Sequence, residues 1–208
     1  MTAEPVGGAL RPSAGALRLI APRTTTPSAD IAAYVQAVTT HCPYLAPSLD
    51  RGLTGWTLYE AVGAPLDVEA EVFHAAVQAA EWVRPLAARA HGAFVCENVA
   101  ILGAGREVVQ WPHWALKHLY GPVGLMIGKF AAGEERTDGR GRSISPPPVS
   151  FLPVRVAVRP RDGRFLHRTP NLAAVVASAR DDGRDVFGDI GHDWKDIRLW
   201  AQHLPSRR

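Results

Sequence analysis

The chain has 208 residues, 47% of them hydrophobic, with a formal net charge of +3. That length fits one domain with a real core, no apolar run approaches the roughly 18–20 residues of a membrane span, and two cysteines make no disulfide framework. With no CxxC pair and no Cys/His quartet a structural zinc site is disfavoured. The opening residues lack the charged and apolar regions of a secretory signal, so a cytoplasmic location is expected.

Residues 1–27 are rich in Gly, Pro, Ala and Thr and are expected to form a flexible N-terminal arm. Residues 28–208 are then expected to make a single α+β domain. Ser28 is placed to cap a first helix with Ile31, Val35 and Val38 on one face. That helix stops near His41, because Cys42 precedes Pro43 and is biased away from helical dihedrals. The segment 53–62 alternates and carries aromatics, as a strand does. From Val68 towards Ala90 runs the longest helix, with Val72, Phe73, Ala76, Ala80, Val83 and Ala87 as its buried stripe and Pro85 as a stop or kink. Residues 93–102 predict a central strand, 108–120 a helix beginning near Pro112, and 121–130 another strand. A polar stretch, 131–148, has no periodic pattern and is expected to be a mobile loop. Residues 149–158 return to strand, and helices are expected over 171–182 and 194–204. Few strands alternating with helices predict a small mixed or antiparallel sheet with helices packed mainly on one face, and a ferredoxin-like split arrangement fits the central strand–helix–strand order.

Charge is uneven. Between Arg136 and Arg168 lie eight arginines against Asp138 and Asp162, a local net charge of +6. Guanidinium forks bind carboxylates and phosphates bidentately, so this stretch is either a solvated face or an anion contact. Nucleic acid is disfavoured, since no binding motif and little aromatic interleaving accompany the arginines. The run 98–108 imitates a dinucleotide turn, with Gly103 and Gly105 after a hydrophobic strand, but Val108 holds the third glycine position and too few strands follow. Nucleotide binding through this turn is kept as an alternative function.

Two groups carry candidate chemistry. Cys42 before Pro43 offers a soft ligand or nucleophile, although a helix C-terminus disfavours the thiolate, and a small buried residue at a helix stop is the plainer account. A thiol enzyme would need a base, and His41 is a poor one if the segment is extended, because adjacent strand residues face opposite ways. In WPHWALKH (111–118), His113 and His118 are five residues apart and do not stack well on one helical face, which disfavours a two-histidine metal site, whereas Trp111 and Trp114 can share a face with His118. An aromatic wall with one imidazole suits a haem or flavin pocket, and an ordinary core helix accounts for it as well. No GxSxG or HExxH motif is present.

CPYL (42–45), GLMIGKF (124–130) and SPPPVSFLPVRVAVRPRDGRFL (145–166) resemble a bacterial family marked by a Cys-Pro-aromatic motif and a GLMIGxF strand. After a loop, that family has an arginine-bearing strand and an acidic residue shortly before Phe-Leu. The matching positions here are Arg155 or Arg159, Asp162, Phe165 and Leu166. Ala131-Ala132 stand where such proteins often have His-Pro. The family is in turn similar to the YqcI/YcgG-like proteins, which include haem-dependent N-oxygenases. The resemblance implies a haem cofactor and oxidation of a nitrogen-bearing small molecule in bacterial secondary metabolism. It implies Cys42, His113 or His118 as the single axial ligand, with Trp114 in the pocket and Arg155 and Arg159 neutralising carboxylates. The alternative is a non-catalytic accessory protein of a biosynthetic pathway, docking through Trp194, Trp200 and the basic loop. A homodimer is an expected assembly, because a small sheet with an exposed face gains from one.

Overall fold

The computed structural model describes residues 15–158, 162–163 and 170–183. The helix expected over 194–204, with Trp194 and Trp200, and the positions Arg159, Phe165 and Leu166 lie outside them.

A five-stranded sheet organises the chain. In chain order come β1 (Leu17–Thr24), α1 (Ala29–Val38), α2 (Leu45–Asp50), β2 (Thr54–Ala61), α3 (Pro65–Val83), β3 (Cys96–Leu102), α4 (Glu107–Tyr120), β4 (Leu125–Ile127), a two-residue pair β5 (Arg136–Thr137) and β6 (Ser143–Ile144), β7 (Ser150–Val156) and α5 (Pro170–Ser178). The sheet order is β1-β2-β3-β7-β4, with β2 and β3 parallel and the other pairs antiparallel. It is an open-sheet α+β fold. The unit β3–α4–β4, with β7 running antiparallel between its strands, is the expected split βαβ arrangement.

The two long helices cover one face. Val72, Phe73, Ala76, Ala80 and Val83 of α3 pack with Val109, Leu116 and Tyr120 of α4 on Val99, Ile101, Ile127, Leu152 and Val154 of the sheet. The Phe73 ring lies 5.2 Å from that of Trp111. Alanines along α3 let α4 approach closely, and Tyr120 donates its hydroxyl to Glu81 at 2.9 Å. On the opposite face Ile31, Tyr34 and Val35 of α1 cover Trp56, Leu58, Ala100 and Phe151. α1 is short, so the rest of that face is uncovered by helix.

Four expectations are corrected. Residues 1–27 are not an arm throughout, since Leu17–Thr24 form the edge strand β1. Its start is pinned where the Glu71 carboxylate accepts the amides of Ala16 and Leu17, each at 2.7 Å. The helix expected from Pro112 begins at Glu107 and runs through that proline. The Glu107 carboxylate accepts the Gly105 amide at 2.9 Å just ahead of the helix, its charge suits the helix N-terminus, and Pro112 within the helix has no N–H to give. The strand expected over 121–130 is regular only over Leu125–Ile127. Its partner position on β7 is Pro153, which accepts the Gly128 amide at 2.8 Å but has no N–H to return. A Cβ on Gly128 would stand 2.7 Å from Pro153 Cγ, so glycine alone fits beside that ring. Finally, 131–148 is not structureless. It contains the β5–β6 hairpin, whose Asp138 accepts the amides of Arg140 and Arg142 at 2.8 and 2.9 Å.

An ion pair between a buried carboxylate and an exposed guanidinium lies on the β1 side of the first face. Glu97 is buried and accepts from Arg23 at 2.8 Å, while Arg23 also covers the Trp82 ring. Burial pushes the Glu97 carboxyl up, and the Arg23 guanidinium opposes that shift. A carboxyl raised in the folded state contributes stability that is complete below its unfolded pKa and is lost as pH rises through the folded one. Arg23→Met removes the opposing charge. Its urea midpoint is expected to fall further below that of the native chain at pH 7.5 than at pH 4.5.

Candidate functional site

The half of the sheet that α1 leaves uncovered is the floor of an open cleft of about 1220 Å³. That is at or above the upper end of the roughly 300–1,000 Å³ typical of small-ligand pockets. Alternation along the strands selects the floor. The register sets Thr54 beside Cys96 and Trp56 beside Asn98, then Asn98 beside Pro153 and Cys96 beside Arg155, and Arg155 beside Met126. All of these line the cleft. Phe130 stacks on Phe151 with ring centroids 4.7 Å apart, giving the floor an aromatic end under α1.

Three walls rise from this floor. The first is the end of α1 and the turn after it, with Tyr34, His41 and Cys42. Cys42 has φ −130° and ψ 107°, the extended geometry that Pro43 demands of its predecessor, and it is half-buried. The second is the β5–β6 hairpin. His41 Nδ1 lies 3.0 Å from Asp138 Oδ2, Arg142 Nε donates to the same oxygen at 2.7 Å, and Arg142 also donates to the Thr40 carbonyl at 3.0 Å. The hydrogen bond from His41, followed by those from the Arg142 and Arg140 amides and the Arg142 guanidinium, holds the Asp138 carboxyl far below the usual carboxylate range. This network ties the hairpin to the turn that bears Cys42.

The third wall lies at the free edge of β4. Gly124, Gly128 and Phe130 turn backbone groups to β7 and its extension, so those of Ile127 point away from the sheet. There the His113 ring donates to the Ile127 carbonyl. Burial, then Lys117, Lys129 and Arg136, push the imidazole pKa well down, against the pull of that hydrogen bond. A neutral ring with one N–H given to a carbonyl keeps its lone pair on the other nitrogen, the same device that orients metal-binding histidines. Lys117, one helical turn from His113, joins it on the cleft wall, as does Lys129. Burial and the nearby Arg106 and Arg136 lower the Lys129 pKa, with Glu134 opposing.

Of the residues singled out from the sequence, Cys42, His113 and Arg155 line the cleft. Trp114 and His118 do not. They occupy the next face of α4, where Trp114 packs against the first core and the His118 ring lies 5.0 Å from it. His118 Nδ1 meets the Trp114 carbonyl at 2.8 Å. Arg155 is not free to neutralise a ligand, because its guanidinium is spent on Asp162, which is 3% exposed and also accepts the Val158 amide at 2.7 Å. Lys117, Lys129, Arg136 and the His41–Asp138 pair have no local pattern in sequence. The one available signal was Asp138-Gly139, a hairpin-turn dipeptide. In the Gly103–Gly105 turn the amide of Gly105 is occupied by Glu107, and the Ala104 and Gly105 carbonyls accept from buried Ser150 at 2.9 and 3.0 Å, so this turn serves to hold strand β7.

Fold and cleft define an open-sheet α+β protein with a half-covered sheet face that floors an open cleft. Among the described residues no helix is long and apolar enough to cross a membrane, and no three His, Cys, Asp or Glu side chains group as a metal cage. Comparison with models of known families, with characterised proteins and with solved structures gave no match.

Proposed function

We propose that the protein is a haem-dependent oxygenase of a nitrogen-bearing small molecule, with His113 as the axial ligand. The observation that carries this reading is the half-buried imidazole on the cleft wall, its pKa pushed well down and its N–H directed at the Ile127 carbonyl. A porphyrin supplies four of its iron's ligands, so the chain needs one donor and not a cage. Cys42 is a second donor on the same cleft, free and half-buried in the wall formed by the turn after α1. The aromatic floor of Phe130 and Phe151, stacked beside Trp56, suits a flat macrocycle. Bound haem would supply oxygen activation, while the chain would orient the substrate and limit water through the hairpin wall.

The test is a visible absorption spectrum of protein made in cells supplied with iron and a haem precursor, followed by titration with added haem. A stoichiometric porphyrin band with the spectrum of imidazole ligation is expected. A protein that stays colourless and binds no added haem ends the haem reading and leaves a cofactor-free binding protein.

A further inference from the structure

The cleft carries a charge arrangement that haem ligation by His113 leaves unused. Consider first its acids. Glu134 is held by Arg136 at 2.6 Å, with Arg106 at 3.9 Å. Asp138 is held by His41 and Arg142, and Asp162 by Arg155. Glu135, the remaining acid of the wall, is exposed. Each buried or half-buried acid therefore has its own cationic partner inside the protein.

The bases do not balance in the same way. Lys129 makes no hydrogen bond and no ion pair within 4 Å among the described residues, and its electrostatic neighbours are Arg106, Arg136 and Glu134. Its position follows from the backbone. Regular β4 pairing stops before Gly128, whose amide still reaches Pro153, and resumes at the Phe130–Phe151 bridge, so Lys129 sits between these two contacts and lines the cleft wall with Lys117 and Arg136. An ammonium partly withdrawn from water and set among like charges is costly, and the cost is removed when an anion arrives. Met126 and Pro153, on the floor beside this corner, are apolar.

We propose that the β4 corner of the cleft is an anion subsite, in which Lys129, with Lys117 beside it, receives the carboxylate or phosphate of an organic ligand whose apolar body lies on Met126, Pro153 and Trp56. The inference rests on the reading of the cleft as a small-molecule site but not on haem. An organic anion fits better than a free inorganic one, because the cationic corner is continuous with an apolar floor.

The experiment is calorimetric titration of the full chain with 1-naphthoate, 1-naphthyl phosphate and the neutral 1-naphthylmethanol, with haem content recorded separately by absorption. At least one charged probe is expected to bind about tenfold or more tightly than the alcohol. Lys129→Met is expected to abolish that preference with an unchanged melting temperature, and Lys129→Arg to keep most of it. Preference for naphthoate assigns a carboxylate ligand, and preference for the phosphate a phosphorylated one. Equal binding of all three probes, no binding of any, or a preference that survives in Lys129→Met overturns the subsite. Because heat is read and not porphyrin absorption, a failed haem titration and a failed anion subsite give different records.

Discussion

Asp162→Ala is expected to destabilise the protein by about 3–5 kcal/mol, the cost of breaking a buried ion pair from one side. The Asp162 side chain is 1% exposed and that of Arg155 14%. The carboxylate receives both terminal nitrogens of the guanidinium and the Val158 amide, so three donors lose their acceptor at once. Arg155 also donates to the Val156 carbonyl at 3.0 Å, which cannot replace the lost charge. The measurement is urea unfolding of the single variants, of Arg155→Met and of the pair Arg155→Met with Asp162→Leu. The pair is expected to recover most of the loss, since apolar replacement of a buried ion pair is often neutral. A single-variant loss below about 1 kcal/mol would show the pair to be solvated.

The same pair clarifies the sequence. An arginine on β7 and an acid shortly after it looked like a ligand contact followed by a motif residue. In the fold they belong to each other, and what they hold is the chain just beyond β7 at the cleft's floor. Lys129, Arg136 and Lys117 line the cleft as well, and these three, separated along the chain, come to one cleft because α4 links β3 to β4 and the β5–β6 hairpin lies between β4 and β7 in the chain.

What was legible follows the range of the forces involved. β2, β3 and β7 declare themselves through repeated burial on one or both faces and lie within a few residues of expectation, whereas α3, expected to reach towards Ala90, ends at Val83, just before Pro85. β1 was hidden because an edge strand buries little: its residues are mostly exposed, and Glu71, more than fifty positions away, fixes its start. β4 was overread because the GLMIGKF run is apolar enough for a longer strand, and only its pairing with Pro153 shortens it. The hairpin was underread because its two-residue ladder is held by Asp138 and not by a hydrophobic pattern. On α4 the pairing of Trp114 with His118 was correct as helical geometry. Yet 113 and 117 form the adjacent stripe, and only the position of β4's free edge decides which stripe meets the cleft.

Replacing His113 separates the proposed ligand from its competitor. His113→Gly is expected to lose haem almost completely, whereas Cys42→Ala and His118→Ala keep it. Added imidazole is expected to restore the porphyrin band in His113→Gly, because a small ring can enter the space vacated and donate its N–H to the Ile127 carbonyl. Rescue is the informative readout: a variant that merely fails to fold would not recover a spectrum with imidazole. Substituting glycine within α4 costs about 1 kcal/mol of helix propensity, so His113→Ala is the control that keeps the helix while removing the donor. The pH dependence has a definite sign. A ring already held neutral by burial and by three nearby cations is competent for ligation well below the ordinary histidine pKa of about 6.5. Haem retention is therefore expected to persist through pH 6, where an exposed histidine would be protonated. Loss of haem centred near pH 6.5, or retention of haem by His113→Ala together with its loss in Cys42→Ala, would assign the iron to another donor.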